Sequence, residues 1–315
     1  MKLSNEELKT IYCGALSFSE TVDGYLNSFQ YTQQQMEYFK KASDFWYDRC
    51  KAATAKTLEF NTAATDFSLE YKITWVSSED SFELAIDDLI TDIRYIKDLK
   101  KEGSLSFEMP TGEKKVTLYL PVDATVSIRN FEINAVFSPV EKGEKVLWMG
   151  DSITQGYGPL RSAETYVSVA NRLLGYDIIN QGIGGYVYDK NVLMKMEGYY
   201  PDKIIVALGT NQYGTESMKD IEEYYERLHE LYGDTPVLSV IPLWRGDSPD
   251  GEETLVEFCR KLKDICMKYS NITIVEGFKL VPHLPEYFLD MLHPNSLGCE
   301  LYGRNLVREI EKSGF

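Results

Sequence analysis

From residue 146 onward the chain alternates short apolar runs with longer helical patterns, and no other feature restricts its fold as strongly. The runs fall at 146–149, 178–179, 204–208, 237–241 and 272–275. Helical patterns lie at about 163–174, 190–196, 217–231 and 253–269, with a last helix over 298–312. Runs that stay apolar without alternation suit strands buried on both faces, and a helix between successive strands is the crossover a parallel sheet needs. The expected fold of this half is therefore α/β, a five-stranded parallel sheet with helices on both faces. In such sheets functional side chains collect just beyond the carboxyl ends of the strands.

The preceding residues follow a different rule. Strand-like stretches fall at 57–61, 66–75, 81–86, 93–96, 103–108, 115–120, 125–132 and 135–137. Several alternate polar and apolar residues, as in Ser68-Leu-Glu-Tyr-Lys-Ile-Thr-Trp75, the period of a sheet with one face buried. This predicts an all-β sandwich of jelly-roll type. One helical stretch interrupts it at 32–49, where Met36, Phe39, Ala42 and the Phe45-Trp46 pair recur at spacings of three and four, with Thr32 as the cap. The polar connector Pro139-Val-Glu-Lys-Gly-Glu144 marks a boundary, so two domains are expected, 1–142 and 143–315.

The formal charge of −16, from 33 basic and 49 acidic residues, repels phosphate backbones and anionic membrane surfaces and argues against nucleic acid or membrane as partner. No run approaches the roughly 18 apolar residues of a membrane span. The first residues are too polar for a signal peptide and read as a short helix capped at Ser4, with Glu7 closing a capping box, so a cytoplasmic setting is expected. Cys13, Cys50, Cys259, Cys266 and Cys299 lack the paired spacing of a zinc site and are odd in number, which predicts reduced thiols and no metal. The only histidines are His229, His283 and His293, so any imidazole chemistry must come from these.

The strand ends of the second half carry unusual residues. The first apolar run enters Gly150-Asp-Ser152, which alone is the mark of a turn with a capping serine. Its partners change that reading. The second run leads into Asn180-Gln-Gly-Ile-Gly-Gly185, the third into Gly209-Thr-Asn211, and Asp290-Met-Leu-His293 precedes the final helix. The run Gly182-Ile-Gly-Gly185 lacks the last glycine of a dinucleotide loop, because Val187 stands there, so no cofactor is expected. Taken in order, the four blocks resemble the SGNH hydrolases, also called GDSL esterases and lipases, over residues 145–312. The resemblance implies a flavodoxin-like parallel sheet, Ser152 as nucleophile, Asp290 and His293 as its partners, and the oxyanion donors Ser152, Gly185 and Asn211. Gly184 stands beside Gly185, so the glycine assignment rests on the spacing of five from Asn180.

Elementary chemistry agrees with these roles. A serine hydroxyl needs an adjacent base, for which imidazole is suited, and a carboxylate three residues earlier can fold back onto Nδ1 and hold the tautomer whose Nε2 faces the serine. Negative charge on the attacked carbonyl oxygen calls for preorganised donors, each contributing on the order of 3 kcal/mol. His283 reads as a structural loop residue and His229 as solvent-facing. Trp244 and Arg245, after the fourth run, either contact a sugar ring and its hydroxyls or pack under the loop in an ion pair.

The β-rich region is similar to the accessory domains of two-domain carbohydrate esterases in that superfamily. The resemblance implies removal of acetyl groups from sugars or oligosaccharides, with a small-molecule or oligosaccharide ester as partner. A thioesterase or lysophospholipase is the enzymatic alternative, and a carbohydrate-binding protein with a vestigial esterase site the non-enzymatic one.

Overall fold

The computed structural model describes every residue except Glu79, Glu216, Pro249 and Asp250. A short helix, α1 (Asn5–Thr10), opens the chain with the expected capping box between Ser4 and Glu7. The strands that follow are β1 (Tyr12–Cys13), β2 (Ser17–Glu20), β3 (Leu26–Phe29), β4 (Thr57–Thr62), β5 (Asp66–Val76) and β6 (Ser81–Ile86), then β7 (Leu89–Tyr95), β8 (Glu102–Glu108), β9 (Lys114–Tyr119), β10 (Ala124–Ile133) and β11 (Phe137–Pro139). They form two antiparallel sheets, ordered β1-β4-β9-β6-β7 with β11 on β4, and β2-β3-β10-β5-β8. Along β5 the alternation points Phe67, Leu69, Tyr71 and Ile73 inward, where they share one core with Leu58, Phe60, Phe82 and Leu84 of the facing sheet. That shared core makes the two sheets a sandwich. Strand β7 begins earlier than the 93–96 expected. Asp87 and Asp88, at φ 49° and 67°, form a two-residue hairpin turn between the paired Ile86 and Leu89. Two aspartates in that role carry none of the glycine signal of such turns.

The second half holds β12 (Lys145–Gly150), β13 (Asp177–Gly182), β14 (Lys203–Ala207), β15 (Val237–Val240) and β16 (Ile272–Val275), paired in parallel in the order β13-β12-β14-β15-β16. This is the flavodoxin-like order, whose switch point lies beside β12. The two faces of β12 explain its unbroken apolar run. Val146 and Trp148 pack in one core with α5 (Tyr166–Leu174) and α8 (Ser296–Ser313), while Leu147 and Met149 pack in another with α6 (Lys219–Tyr232) and α7 (Gly251–Cys266). The helix expected over 190–196 is instead a single 3-10 turn, Lys190–Val192. Side chains occupy its carbonyls, Gln35 Nε2 on Val192 O at 3.0 Å and Arg227 Nε on Leu193 O at 3.4 Å, and its apolar residues face two different cores.

The interruption within the sandwich is two helices, α2 (Gln33–Ala42) and α3 (Asp44–Arg49), the first capped by Thr32 in a box with Gln35. Their apolar stripe packs across the chain: Tyr31, Met36 and Phe39 are buried with Ile183, Tyr186 and Val192, which follow β13. Tyr31 Oη donates to Gln181 O at 2.8 Å, and Gln181 Nε2 to Gln30 O at 2.8 Å. The inserted helices are thereby fastened to the loop that leaves the second parallel strand.

Candidate active site

Strand β12 delivers Ser152 to the carboxyl rim of the sheet, at the start of one helical turn, α4 (Ser152–Gln155). Asp151 caps that turn, accepting from Ile153 N at 3.0 Å, and its burial raises its carboxyl to about 7. Gly182 stands where an added Cβ would lie 2.4 Å from Gln155 N, so only glycine lets β13 end this close to the serine turn. Asn180 ties the same two elements, donating to Thr154 O and accepting from Gly182 N, each at 2.8 Å.

The structure brings together the residues that the sequence places 138 to 141 positions apart, from Ser152 to Asp290 and His293. Ser152 Oγ lies 2.8 Å from His293 Nε2, and His293 Nδ1 lies 2.8 Å from Asp290 Oδ2. The carboxylate folds back because Met291 takes φ 67°, a costly conformation for a non-glycine residue, held by the bond from Gly246 N to Met291 O at 2.8 Å. Burial pulls the Asp290 carboxyl upward, but the backbone N–H and imidazole of His293 outweigh it and leave the group below its usual range. Tyr157 packs edge-on against the imidazole at 4.6 Å.

Gly185, at φ 69°, and Asn211 line the same cleft, which encloses about 400 Å³. Asn211 Nδ2 donates one hydrogen to Tyr186 O at 2.8 Å, and its amide carries a second. The cleft is also lined by residues that the sequence did not single out as functional: Phe45 and Arg49 of α3, and Ser77 and Asp123 of the sandwich. Phe45 Cε1 lies 3.4 Å from where a Cβ on Gly185 would stand, and the Arg49 guanidinium lies 3.5 Å from the Phe45 ring centre. The one signal available for them was the helix inserted into a β region, whose apolar stripe had to find a surface outside the sandwich.

Trp244 and Arg245 are not among the residues that line this cleft; of the two readings the sequence left open, their contacts match packing and an ion pair. Trp244 stacks on His283 with ring centres 5.4 Å apart and rests against Phe288, while its Nε1 donates to Glu252 at 3.3 Å. Arg245 makes two bonds of 2.7 Å to Asp247 and donates to Thr210 O at 2.7 Å, close enough to the buried Asp151 to favour its charge. The turn after β15 runs beneath the 283–291 loop, which uses up both side chains. His283 Nε2 donates to the backbone oxygen of Phe278 at 2.9 Å, and His229 is exposed on α6. Among the described residues no three His, Cys, Asp or Glu side chains are grouped to hold a metal ion, and no helix is long and apolar enough to cross a membrane. The five cysteines are free thiols, four of them buried.

A flavodoxin-like sheet with serine, imidazole and carboxylate in contact at its carboxyl rim is the architecture of the SGNH hydrolases. Residues 148–301 match the model of the GDSL-like lipase/acylhydrolase family. No curated protein sequence matches the chain significantly. Solved structures similar to it include the salicylyl-acyltransferase SsfX3 from a tetracycline biosynthetic pathway, with a TM-score of 0.74 at 18% identity over 96% of this chain and 94% of that one. An acetyl xylan esterase from the rumen bacterium Butyrivibrio proteoclasticus has a TM-score of 0.65 at 15% identity over 99% of both chains. A family two carbohydrate esterase from Clostridium thermocellum, in complex with cellohexaose, has a TM-score of 0.65 at 16% identity over 83% of this chain and 93% of that one. At these identities the likeness is one of fold, and it extends through the sandwich as well as the parallel sheet.

Proposed function

We propose that this protein is a serine esterase that removes small acyl groups, acetyl foremost, from sugars or oligosaccharides. The observation that carries the reading is the hydrogen-bonded line from Ser152 Oγ through His293 to Asp290, both links 2.8 Å long. Neutral His293 accepts the Ser152 proton on Nε2 as Oγ bonds to the ester carbon, and Asp290 holds the imidazolium that results. The N–H groups of Ser152 and Gly185 and the second amide hydrogen of Asn211 receive the charge on the carbonyl oxygen. The imidazolium then protonates the departing sugar oxygen as the ester C–O bond breaks. Water, losing its proton to His293, attacks the acyl-serine, and the acid leaves as Oγ regains a proton.

Support for a sugar as the alcohol comes from the company of folds, a carbohydrate esterase holding cellohexaose and an acetyl xylan esterase among them. It comes also from the cleft, in which an aromatic face at Phe45 and hydrogen-bonding groups at Arg49 and Ser77 share the lining with the nucleophile. The test is hydrolysis of p-nitrophenyl acetate, butyrate and octanoate and of acetylated oligosaccharides by wild type and Ser152→Ala. We expect kcat/KM to fall from acetyl to octanoyl, and Ser152→Ala to lose on the order of a thousandfold or more while staying folded. Each methylene buried in a roomy acyl pocket would add about 0.8 kcal/mol, so a rise toward octanoyl favours a thioesterase or lysophospholipase. A wild-type protein that binds oligosaccharides and hydrolyses no ester is a binding protein.

A further inference from the structure

Between the sandwich and the candidate oxyanion loop runs a chain of buried hydrogen bonds. Gly184 N donates to Gln155 Oε1 at 2.6 Å, and Gln155 Nε2 donates to Asp123 Oδ1 at 2.5 Å. Asp123 Oδ2 accepts from Ser78 Oγ at 2.8 Å, and Asp123 N donates to Asp80 Oδ2 at 2.9 Å. Asp80 Oδ1 accepts in turn from Ser162 Oγ at 2.5 Å and Ser81 N at 2.7 Å. Gln155, Asp123 and Asp80 are each 2% exposed. The orientation of Gln155 is dictated by its neighbours: a backbone N–H can only donate and a carboxylate only accept, so the amide must face oxygen to Gly184 and nitrogen to Asp123.

This chain joins three parts that have to be in register for acyl transfer. Gln155 belongs to the same single turn as Ser152. Gly184 precedes Gly185 in a loop whose backbone has no helix or strand bonds to hold it at that point. Asp123 sits in the turn between β9 and β10, a turn pressed so near the serine loop that a Cβ on Gly156 would lie 2.8 Å from Val122 Cγ2. A buried amide that lost either partner would leave a polar group unpaired, at about 1 to 3 kcal/mol, so the arrangement resists turning.

We propose that Gln155 and Asp123 are positioning residues that hold the 182–185 loop against the Ser152 turn, making the sandwich a working part of the catalytic apparatus. The proposal rests on the reading of Gly185 as an oxyanion donor given above. The donor acts only if it points at the developing charge, and displacement of a catalytic group by about 1 Å costs on the order of a hundredfold in rate.

The test compares Gln155→Met, Asp123→Ala and Asp123→Asn by two readouts: kcat and KM on p-nitrophenyl acetate, and amide hydrogen exchange over residues 181–187. Asparagine keeps an acceptor for Gln155 and places a donor toward Ser78, so it conserves the chain where alanine cuts it. We expect Gln155→Met and Asp123→Ala to lose about tenfold to a hundredfold in kcat with KM within about twofold, and to exchange faster over 181–187. Asp123→Asn should recover kcat to within about threefold of wild type, and the double variant Gln155→Met/Asp123→Ala should be no slower than Gln155→Met alone, since the two act as one unit. Unchanged exchange in Gln155→Met, unchanged kcat in that variant, or an asparagine no better than alanine overturns the proposal. Wild-type protein without ester hydrolysis overturns the esterase reading, and the exchange readout then still decides whether Gln155 and Asp123 hold the loop.

Discussion

Phe45 is 49% exposed although it stands over Gly185 in the lining of the cleft. A half-exposed ring at that place offers an apolar face for a sugar, and an aromatic contact of this kind is worth about 1 kcal/mol, close to a fivefold change in affinity. Phe45→Ala should therefore lower kcat/KM for acetylated oligosaccharides by about fivefold to tenfold while p-nitrophenyl acetate changes by less than about twofold. Equal losses on both substrates would assign Phe45 to holding Gly185 in place. Ser152, Asp290 and His293 could be singled out at this scale because each lies in a short block whose chemistry is local. Phe45 and Arg49 lie in no such block. Trp244 and Arg245 did lie at a strand end, and their bonds to Glu252, Asp247 and Thr210 could not be read from that position.

The connection from α3 to β4 contains a buried cation. Lys56 is 1% exposed, and its ammonium donates to Ser28 O at 2.8 Å and Ala52 O at 3.2 Å, with no carboxylate in ion-pair range among the described residues. Burial lowers its pKa to about 7, against a slight opposing pull from Cys50. The unfolded chain keeps this proton up to the ordinary lysine range, near 10.4, so between those values the unfolded state binds more protons than the folded one. Stability should accordingly rise with pH across that window, and Lys56→Met should flatten the slope of unfolding free energy against pH by up to about 1.4 kcal/mol per unit. Denaturant titrations from pH 6 to 10 read this slope difference, and parallel curves for the two proteins would show that Lys56 titrates normally. Elements with strong local codes were readable: the capping box at Ser4, the cap at Thr32, the alternation of β5 and the apolar run of β12. The 190–196 stretch was misread because burial against two separate cores imitates the spacing of a helix face.

At the scale of the whole molecule, the two halves line one cleft, the candidate active site. A polypeptide limited to residues 143–315 would keep Ser152, Asp290 and His293 but lose Phe45, Arg49, Ser77 and Asp123 from the wall. It would also bare Ile183, Tyr186 and Val192, whose packing partners are Tyr31, Met36 and Phe39. Such a fragment should aggregate, or hydrolyse p-nitrophenyl acetate at least about a hundredfold more slowly than the full chain. A soluble fragment with the full chain's kcat/KM would show that the sandwich contributes nothing to turnover.

The amino-acid sequence by itself determined the parallel sheet and pointed to Ser152, Asp290 and His293 as a group that would meet at its rim. Periodicity over a few residues decides which faces are buried, and strand ends in such a sheet meet at one rim whatever the loops do. Only the tertiary structure decided what lines the cleft with them. Tyr31 meets Gln181 across 150 residues, and Gln155 meets Asp123 across 32, between one loop of a sandwich and one turn of an unrelated sheet. Such pairings depend on how two separately folded surfaces fit together, and the local pattern of neither segment contains that fit.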